Sequence, residues 1–491
     1  MKSKLLNIII LFTLLFASCS RENKPEFFTF QFDKHATLII KNIQPDDEYS
    51  VVGRYATFLS TDYINNSKST EKALKNNNGE YVLNFNISAP SDVYLKVNED
   101  LQIPLFLIPG DTLYMTLDLS DSSNILKRIK FEGKSASINE YKVMRRERFG
   151  VRYLEKCARI VRANLPVMVM QDSLDSISLV EMDFLNEYSN NNSIPKWYLN
   201  FAGNQIIYTT ADYKCYYLNS RKWQKIEAEE PNNYLKFLDE IKINNDEVLI
   251  SPYYYYFLKE YFELSNPDSI YKMNVTERRK ILGIHALKNA ERILSGEVKD
   301  VYNTFIISQF IIDIGEYKLA EEIINDPQRD IVSSKYRNYL VKYLEDKSSL
   351  KPGMKAPAFY LLNSNNQYEY LDSYKGNVIL LNFWYPGCKP CVNEIPFEKE
   401  LVNEFKNEKF KLINICLFNT EESWRNAINK LGMEGINLFA DKNWEDKLIK
   451  EYNTARFPHY TLIDKNGNIV SNNPSRPSDG VSEEILKLLA K

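Results

Sequence analysis

The spacing of apolar residues changes twice along the 491 residues of this chain, so a single core cannot account for it. From about 27 to 133 the period is two, in Phe28/Phe30/Phe32, Leu38/Ile40, Tyr81/Leu83/Phe85/Ile87, Val93/Leu95/Val97 and Leu113/Met115/Leu117/Leu119. Alternation of this kind buries one face of a strand. Turn residues separate the runs at Pro45-Asp46-Asp47, Asn78-Gly79, Pro90-Ser91 and Pro109-Gly110-Asp111. The expectation is an antiparallel β domain. From about 134 to 350 apolar residues recur every three or four positions, with breaks at Asn190-Asn191-Asn192, Glu230-Pro231, Ser251-Pro252, Asn266-Pro267 and Asp326-Pro327. That spacing predicts an all-α domain, in which 301–314 and 317–324 flank a tight turn at Gly315. The aromatic run Tyr253-Tyr254-Tyr255-Tyr256-Phe257 is expected to pack between its helices rather than bind a ligand. From 351 to 491 strands alternate with helices: strands at 358–362, 378–383, 410–417 and 460–464, a hairpin turn at Asn466-Gly467, and helices after Cys391 and at 421–431, 445–452 and 482–490. This order predicts an α/β domain.

Ahead of these domains, Lys2 and Lys4 precede an apolar run from 5 to 16, followed by Ala17-Ser18-Cys19. The run is shorter than the roughly 20 residues a membrane-spanning helix needs. A basic start, a short apolar centre and small residues are the parts of an export signal. The small residues before Cys19 resemble a bacterial lipobox, although Phe16 stands where that pattern prefers leucine. Residues 1–18 are therefore expected to be a lipoprotein signal peptide, Cys19 the lipidated residue, and 19–26 a tether holding the chain in the cell envelope. A formal net charge of −3 offers no electrostatic case for nucleic acid. Residues 351–491 carry 18 Lys+Arg against 18 Asp+Glu, so that domain does not recruit a partner by net charge.

Six cysteines stand at 19, 157, 215, 388, 391 and 416. Their spacing is not that of a disulfide framework, and Cys157, Cys215 and Cys416 read as small buried residues. Cys388 and Cys391 are different. The apolar run Asn377-Val378-Ile379-Leu380-Leu381-Asn382-Phe383-Trp384 leads into Tyr385-Pro386-Gly387-Cys388-Lys389-Pro390-Cys391, which opens a helix. A helix start stabilises a thiolate, and the thiolate is the nucleophile of disulfide exchange. Lys389 acts in the same direction. Cys391 lies about one turn further in, placed to attack a mixed disulfide formed at an exposed Cys388 and better shielded from solvent. The three histidines, His35, His285 and His459, are scattered, which argues against half of a zinc site. The strand-to-helix setting argues against a purely structural disulfide.

Residues 351–491 resemble the TlpA-like and CcmG-like thioredoxin-fold reductases of bacterial envelopes. The resemblance rests on Pro352-Gly353-Met354-Lys355-Ala356-Pro357, Asn382-Phe383-Trp384, Cys388-Lys389-Pro390-Cys391, Glu394-Ile395-Pro396, Phe457-Pro458 and Leu462-Ile463-Asp464-Lys465-Asn466-Gly467. Upstream, Phe106-Leu107-Ile108-Pro109-Gly110-Asp111 and Phe131-Glu132-Gly133 look like lipoproteins of Bacteroidetes that carry such a domain. The resemblance implies a thioredoxin fold and a thiol:disulfide oxidoreductase without a cofactor. It makes Cys388 the attacking residue, Cys391 the resolving one, and Pro458 a cis-proline beside which backbone groups pair with substrate. Trp384 matches an aromatic residue beside the site, and Glu394 an acid that could relay the resolving thiol's proton. Two departures stand out. Asn382 replaces the buried aspartate of thioredoxin itself, and Gly387 replaces a common tryptophan.

Taken together, these features predict a lipid-anchored reductase of exported protein disulfides, supplied with electrons by a membrane donor of the DsbD/CcdA type. The same site could instead run as an oxidase or isomerase. The β and helical domains could be a docking module whose partner the redox domain serves. A peroxiredoxin is disfavoured, because Tyr385 stands where that class has Thr or Ser.

Overall fold

A computed structural model describes residues 35–490, apart from 42–50, 56–68, 73, 77, 86, 88, 98–100, 119–124, 151–152, 164, 225–233, 327–331 and 455–456. The expected signal peptide, tether, Cys19 and the run Phe28/Phe30/Phe32 lie outside the described residues.

Among the described residues nine strands come first: β1 (Ala36–Lys41), β2 (Val51–Tyr55), β3 (Ser69–Lys72), β4 (Leu74–Lys75), β5 (Tyr81–Phe85), β6 (Ser91–Val97), β7 (Leu101–Leu107), β8 (Thr112–Thr116) and β9 (Lys130–Glu132). They form two sheets, in the orders β4-β5-β1-β8-β9 and β3-β2-β6-β7. The alternating residues Leu38, Ile40, Leu83, Phe85, Leu95, Ile103, Leu105, Leu113 and Met115 fill one shared core. The expected all-antiparallel arrangement is corrected at one seam, since β1 runs parallel to β8. A short turn forces antiparallel neighbours only when it joins strands of one sheet. The turn at Pro109-Gly110-Asp111 instead carries the chain from β7 in one sheet to β8 in the other.

Helices follow: α1 (Ala136–Phe149), α2 (Tyr153–Arg162), α3 (Val167–Asn191), α4 (Lys196–Gln224), α5 (Pro252–Glu263), α6 (Val275–Ile293), α7 (Gly296–Ile307), α8 (Tyr317–Asn325) and α9 (Ser334–Lys347). A π-helical turn, Ser308–Ile312, and Gly315 at φ 88° lie between α7 and α8. Helix α1 joins this region to the β-rich one. The fully buried Asn139 accepts from Phe106 N–H at 2.7 Å through Oδ1, and its Nδ2 donates to Phe106 O at 3.0 Å and Ser135 O at 2.8 Å. Phe106 lies on β7, an edge strand, so the Asn139 amide stands in for a missing neighbour. The aromatic run on α5 is packing: Tyr254, Tyr255 and Phe257 are buried, and the two hydroxyls donate to Ile243 O and Leu249 O.

The last part holds β10 (Tyr360–Asn363), β11 (Tyr368–Tyr370), β12 (Val378–Trp384), α10 (Lys389–Glu404), β13 (Phe410–Cys416), α11 (Glu421–Leu431), β14 (Ile436–Phe439), α12 (Lys442–Glu451), β15 (His459–Ile463), β16 (Ile469–Ser471) and α13 (Val481–Leu489). Its sheet runs β11-β10-β14-β13-β12-β15-β16. Strand β12 is parallel to β13 and antiparallel to β15, and all seven of its residues are buried. Ile379, Leu381 and Phe383 enter one core, whereas Val378 and Leu380 enter another on the opposite face. Burial on both faces is why this strand reads as a continuous apolar run. It also makes the strand's C-terminal end a rigid base for the turn that follows.

Candidate active site

Strand β12 ends at Trp384, and the Tyr385-Pro386-Gly387 turn delivers Cys388 to the N-cap of α10. Cys388 N–H donates to Tyr385 O at 3.0 Å, and Cys391 N–H donates to Cys388 Sγ at 3.1 Å. Sulfur thus occupies the position where a helix N-terminus offers unpaired N–H donors. Pro390 fits in the first turn because that turn needs no amide from it. Cys388 and Cys391 are joined as a disulfide, with Cα atoms 5.2 Å apart.

In this oxidised form Cys388 and Cys391 are 3% and 2% exposed, which differs from the expected division into an open and a shielded thiol. The S–S bond holds the Cys388 sulfur against its inner partner. Trp384, Cys416, Trp424 and Ile428 pack around the pair. Lys389, Pro390 and Gly387 are exposed on the adjoining surface. Beside them Tyr385, Phe418 and Phe457 form an edge-to-face triangle with centroids 5.4–5.9 Å apart. Phe418, with φ 55°, went unnoticed in the sequence because it follows a strand and reads as one more apolar residue. The Phe457–Pro458 peptide is cis.

Glu394 does sit on the buried side of α10, but its carboxylate is engaged away from the strands. It accepts from Ser478 hydroxyl at 2.8 Å and Ser478 N–H at 3.1 Å, with Arg476 3.7 Å away. The acid that meets Asn382 is Glu398, a residue sequence reasoning missed. Its Oε1 accepts from Asn382 Nδ2 at 2.9 Å and from Tyr460 hydroxyl at 2.6 Å. Burial, reinforced by the charge of Glu394 and opposed by the Tyr460 hydrogen bond, pushes the Glu398 carboxyl up to about 7. The three other described cysteines are buried and unpaired. Burial pushes Cys157 and Cys416 up to about 12 and Cys215 well above the ordinary thiol range, so all three stay protonated and unreactive.

The helical region reaches this site. Arg279, Asp313 and Ile314 line a cavity of about 20 Å³ together with Asn453, Pro458, His459 and Asn473. Asn473 Nδ2 donates to Ile314 O at 3.3 Å, Asn453 Nδ2 to Asp313 Oδ1 at 3.4 Å, and Lys347 Nζ to Asn453 Oδ1. His459 next to Pro458 is buried, with Nε2 3.4 Å from Asn472 Oδ1. Burial, offset in part by Asn472 and aided by Arg279, lowers its pKa to about 4. The folded state therefore binds fewer protons here than the unfolded state at acid pH. Stability from this residue is present above about pH 6.5 and is lost as pH falls toward 4, by up to about 3 kcal/mol. His459→Gln should flatten that part of the stability–pH curve in denaturant titrations. An unchanged slope between pH 6.5 and 4 would show that the imidazole is not held neutral.

Among the described residues no helix is long and apolar enough to cross a membrane. The Redoxin family profile matches residues 351–485. A thiol-disulfide oxidoreductase ResA of Bacillus anthracis is 30% identical over 128 residues, 26% of this chain and 72% of the relative. The ResA of Bacillus subtilis is 26% identical over 143 residues, 29% of this chain and 78% of that protein. The thioredoxin domain of a thiol-disulfide oxidoreductase from Bacteroides vulgatus is 27% identical, covering 28% of this chain and 99% of that one with a TM-score of 0.27.

Proposed function

Because this chain belongs to the thioredoxin-like thiol-disulfide oxidoreductases, we propose that it reduces disulfides of exported proteins by dithiol–disulfide exchange at Cys388 and Cys391. Cys388, reduced, attacks a substrate disulfide as thiolate and forms a mixed disulfide. Cys391 then attacks Cys388, restoring the internal disulfide and releasing the substrate as dithiol. Backbone groups beside Pro458 align an extended substrate segment, and the Tyr385/Phe418/Phe457 triangle offers an apolar face to its side chains. Trp384 and Pro390 set the pocket and the turn, and Lys389 adds positive charge to the rim. Lipid at Cys19 anchors the chain to the envelope, and a membrane donor of the DsbD/CcdA type returns the electrons. The single observation that carries this reading is a disulfide at the N-cap of α10, on the end of a strand buried on both faces.

The net direction is decided by potential. A redox titration of the full chain against glutathione or dithiothreitol is expected to give a value nearer thioredoxin, about −270 mV, than DsbA, about −120 mV. A value at the oxidising end would make the protein an oxidase.

A second reading gives the helical region a share in substrate choice, favoured by the way Arg279, Asp313 and Ile314 border Pro458. It complements the first, since the same disulfide performs the chemistry.

A further inference from the structure

Far from the disulfide, a cavity of about 60 Å³ is walled by β6, α1, α3, α4 and α5, and none of the residues lining it lies beyond Tyr253. It has room for roughly four or five waters, or for one edge of a small molecule. The charged residues of its walls are already matched. Asp92 Oδ1 accepts from Lys142 Nζ at 2.5 Å, and Glu181 Oε1 accepts from Arg145 Nε at 2.6 Å and from Nη2 of the same guanidinium. Two cations and two anions leave the walls formally neutral. An entering anion would meet the remaining oxygens of Asp92 and Glu181, and an entering cation would meet Lys142 and Arg145, so an ion of neither sign is favoured.

What the walls leave open is neutral hydrogen-bonding capacity. Tyr141 and Tyr198 are each 2% exposed, line the cavity, and have hydroxyls without a hydrogen-bond partner among the described residues. Other tyrosines buried as deeply in the helical region are satisfied: Tyr208, Tyr217, Tyr234, Tyr254 and Tyr255 each donate to a backbone carbonyl. An orphan hydroxyl at such depth is costly unless something enters to pair with it. Burial pushes both hydroxyls well above the phenol range, against the nearby Arg145 charge, so each stays protonated as a donor. The two rings meet edge to face at 6.0 Å, which fixes their relative position. The carboxylates of Asp92 and Glu181 each keep one oxygen that no described donor takes. Tyr94, 42% exposed, offers a ring at the mouth. An uncharged group that accepts from phenols and donates to carboxylate oxygens is a hydroxyl. Neighbouring hydroxyls on a ring whose C–H face can rest on an aromatic side chain describe a sugar.

We propose that this cavity binds a neutral sugar ring, which inserts one hydroxyl-bearing edge against Tyr141 and Tyr198. Its hydroxyls accept from the two phenols and donate to the open oxygens of Asp92 and Glu181, while its C–H face packs on Tyr94. The Asp92–Lys142 and Arg145–Glu181 pairs stay intact, so binding requires no charge to be stripped of its partner. No bond of the sugar is made or broken. The site stands apart from the disulfide, and its failure would leave the exchange reading untouched. A free monosaccharide and the end residue of a glycan present the same edge.

The test titrates the full chain with methyl pyranosides of glucose, galactose, mannose and N-acetylglucosamine, with glycine as a zwitterion and inorganic phosphate as an anion. Binding is read by calorimetry and by saturation-transfer NMR on the ligand. At least one glycoside is expected to bind saturably with a Kd of about 0.1–1 mM, and glycine and phosphate about tenfold more weakly or not at all. Tyr141→Phe and Tyr198→Phe keep the rings and remove the orphan hydroxyls. Each should weaken the preferred glycoside about tenfold, without lowering the unfolding midpoint and without changing the rate of exchange with dithiobis(nitrobenzoate). A purely structural hydroxyl would give the opposite pattern, a lowered midpoint with unchanged affinity, and that result overturns the proposal. So does the absence of saturable binding across the panel, or glycine or phosphate binding as tightly as any glycoside. The panel on the unaltered chain decides the matter even where a variant misfolds. A disaccharide ending in the preferred residue separates the sources: affinity at or above that of the methyl glycoside assigns the site to glycan ends, and weaker affinity assigns it to the free sugar.

Discussion

Cys388→Ser is expected to reduce disulfide exchange to the uncatalysed background, whereas Cys391→Ser should keep the first step and stall at a covalent adduct. The two residues lie three apart in one helical turn, but they are not equivalent. Cys388 caps the helix, and its sulfur accepts the Cys391 N–H at 3.1 Å. An anion there is stabilised by the unpaired N–H groups of the helix start. Cys391 lies one turn inside the helix, without the cap position that stabilises an anion at Cys388. Reduced Cys391→Ser mixed with envelope extract should therefore yield adducts on non-reducing gels that dithiothreitol dissolves. Mass spectrometry of the adduct should locate the linkage at Cys388, and the double variant should yield none. Capture through any other cysteine would overturn the site, and Cys157, Cys215 and Cys416 are too deeply buried to supply it by accident.

The second large effect concerns stability and lies far from the disulfide. Asn139→Ala is expected to cost about 4 kcal/mol, because it strands the Phe106 N–H and C=O inside the protein at about 1–3 kcal/mol each. Asn139 is fully buried, so bulk solvent does not reach these groups in the native fold. The loss should appear in urea or thermal unfolding followed by tryptophan fluorescence and circular dichroism, with the potential of the disulfide unchanged. A cost below about 1 kcal/mol would mean that β7 finds another partner for its open edge. Since unfolding of a chain this large need not be two-state, the midpoint of the first transition is the quantity to compare.

Elements with a strong local pattern were legible in the sequence. Strand β12 was visible because burial on both faces demands an unbroken apolar run, and α11 because Trp424 and Ile428 repeat at helical spacing after a Thr420 cap. The parallel pairing of β1 with β8 was not visible, for it joins segments some seventy residues apart and leaves no mark on either. Strand β14 is four residues long, too short to show a period. At the site, the motif announced Cys388 and Cys391, but Glu398 looked like any acid in a polar stretch of helix. A signal did exist: seven residues after Cys391, it falls on the stripe that otherwise carries Ile395 and Leu401. A charged residue on a buried stripe is the pattern worth searching for in relatives of this chain.

The bridges from Lys347, Asp313 and Ile314 to Asn453 and Asn473 have a thermodynamic corollary. These two asparagines flank the segment that presents Pro458, so the helical region and the exchange site share a set of hydrogen bonds. Reciprocity follows from sharing them. Any ligand of the helices that loosened the asparagines would shift the affinity of the site for its client, and a bound client would shift the affinity for that ligand by the same factor. The long upstream chain would then serve as a rheostat in series with the disulfide.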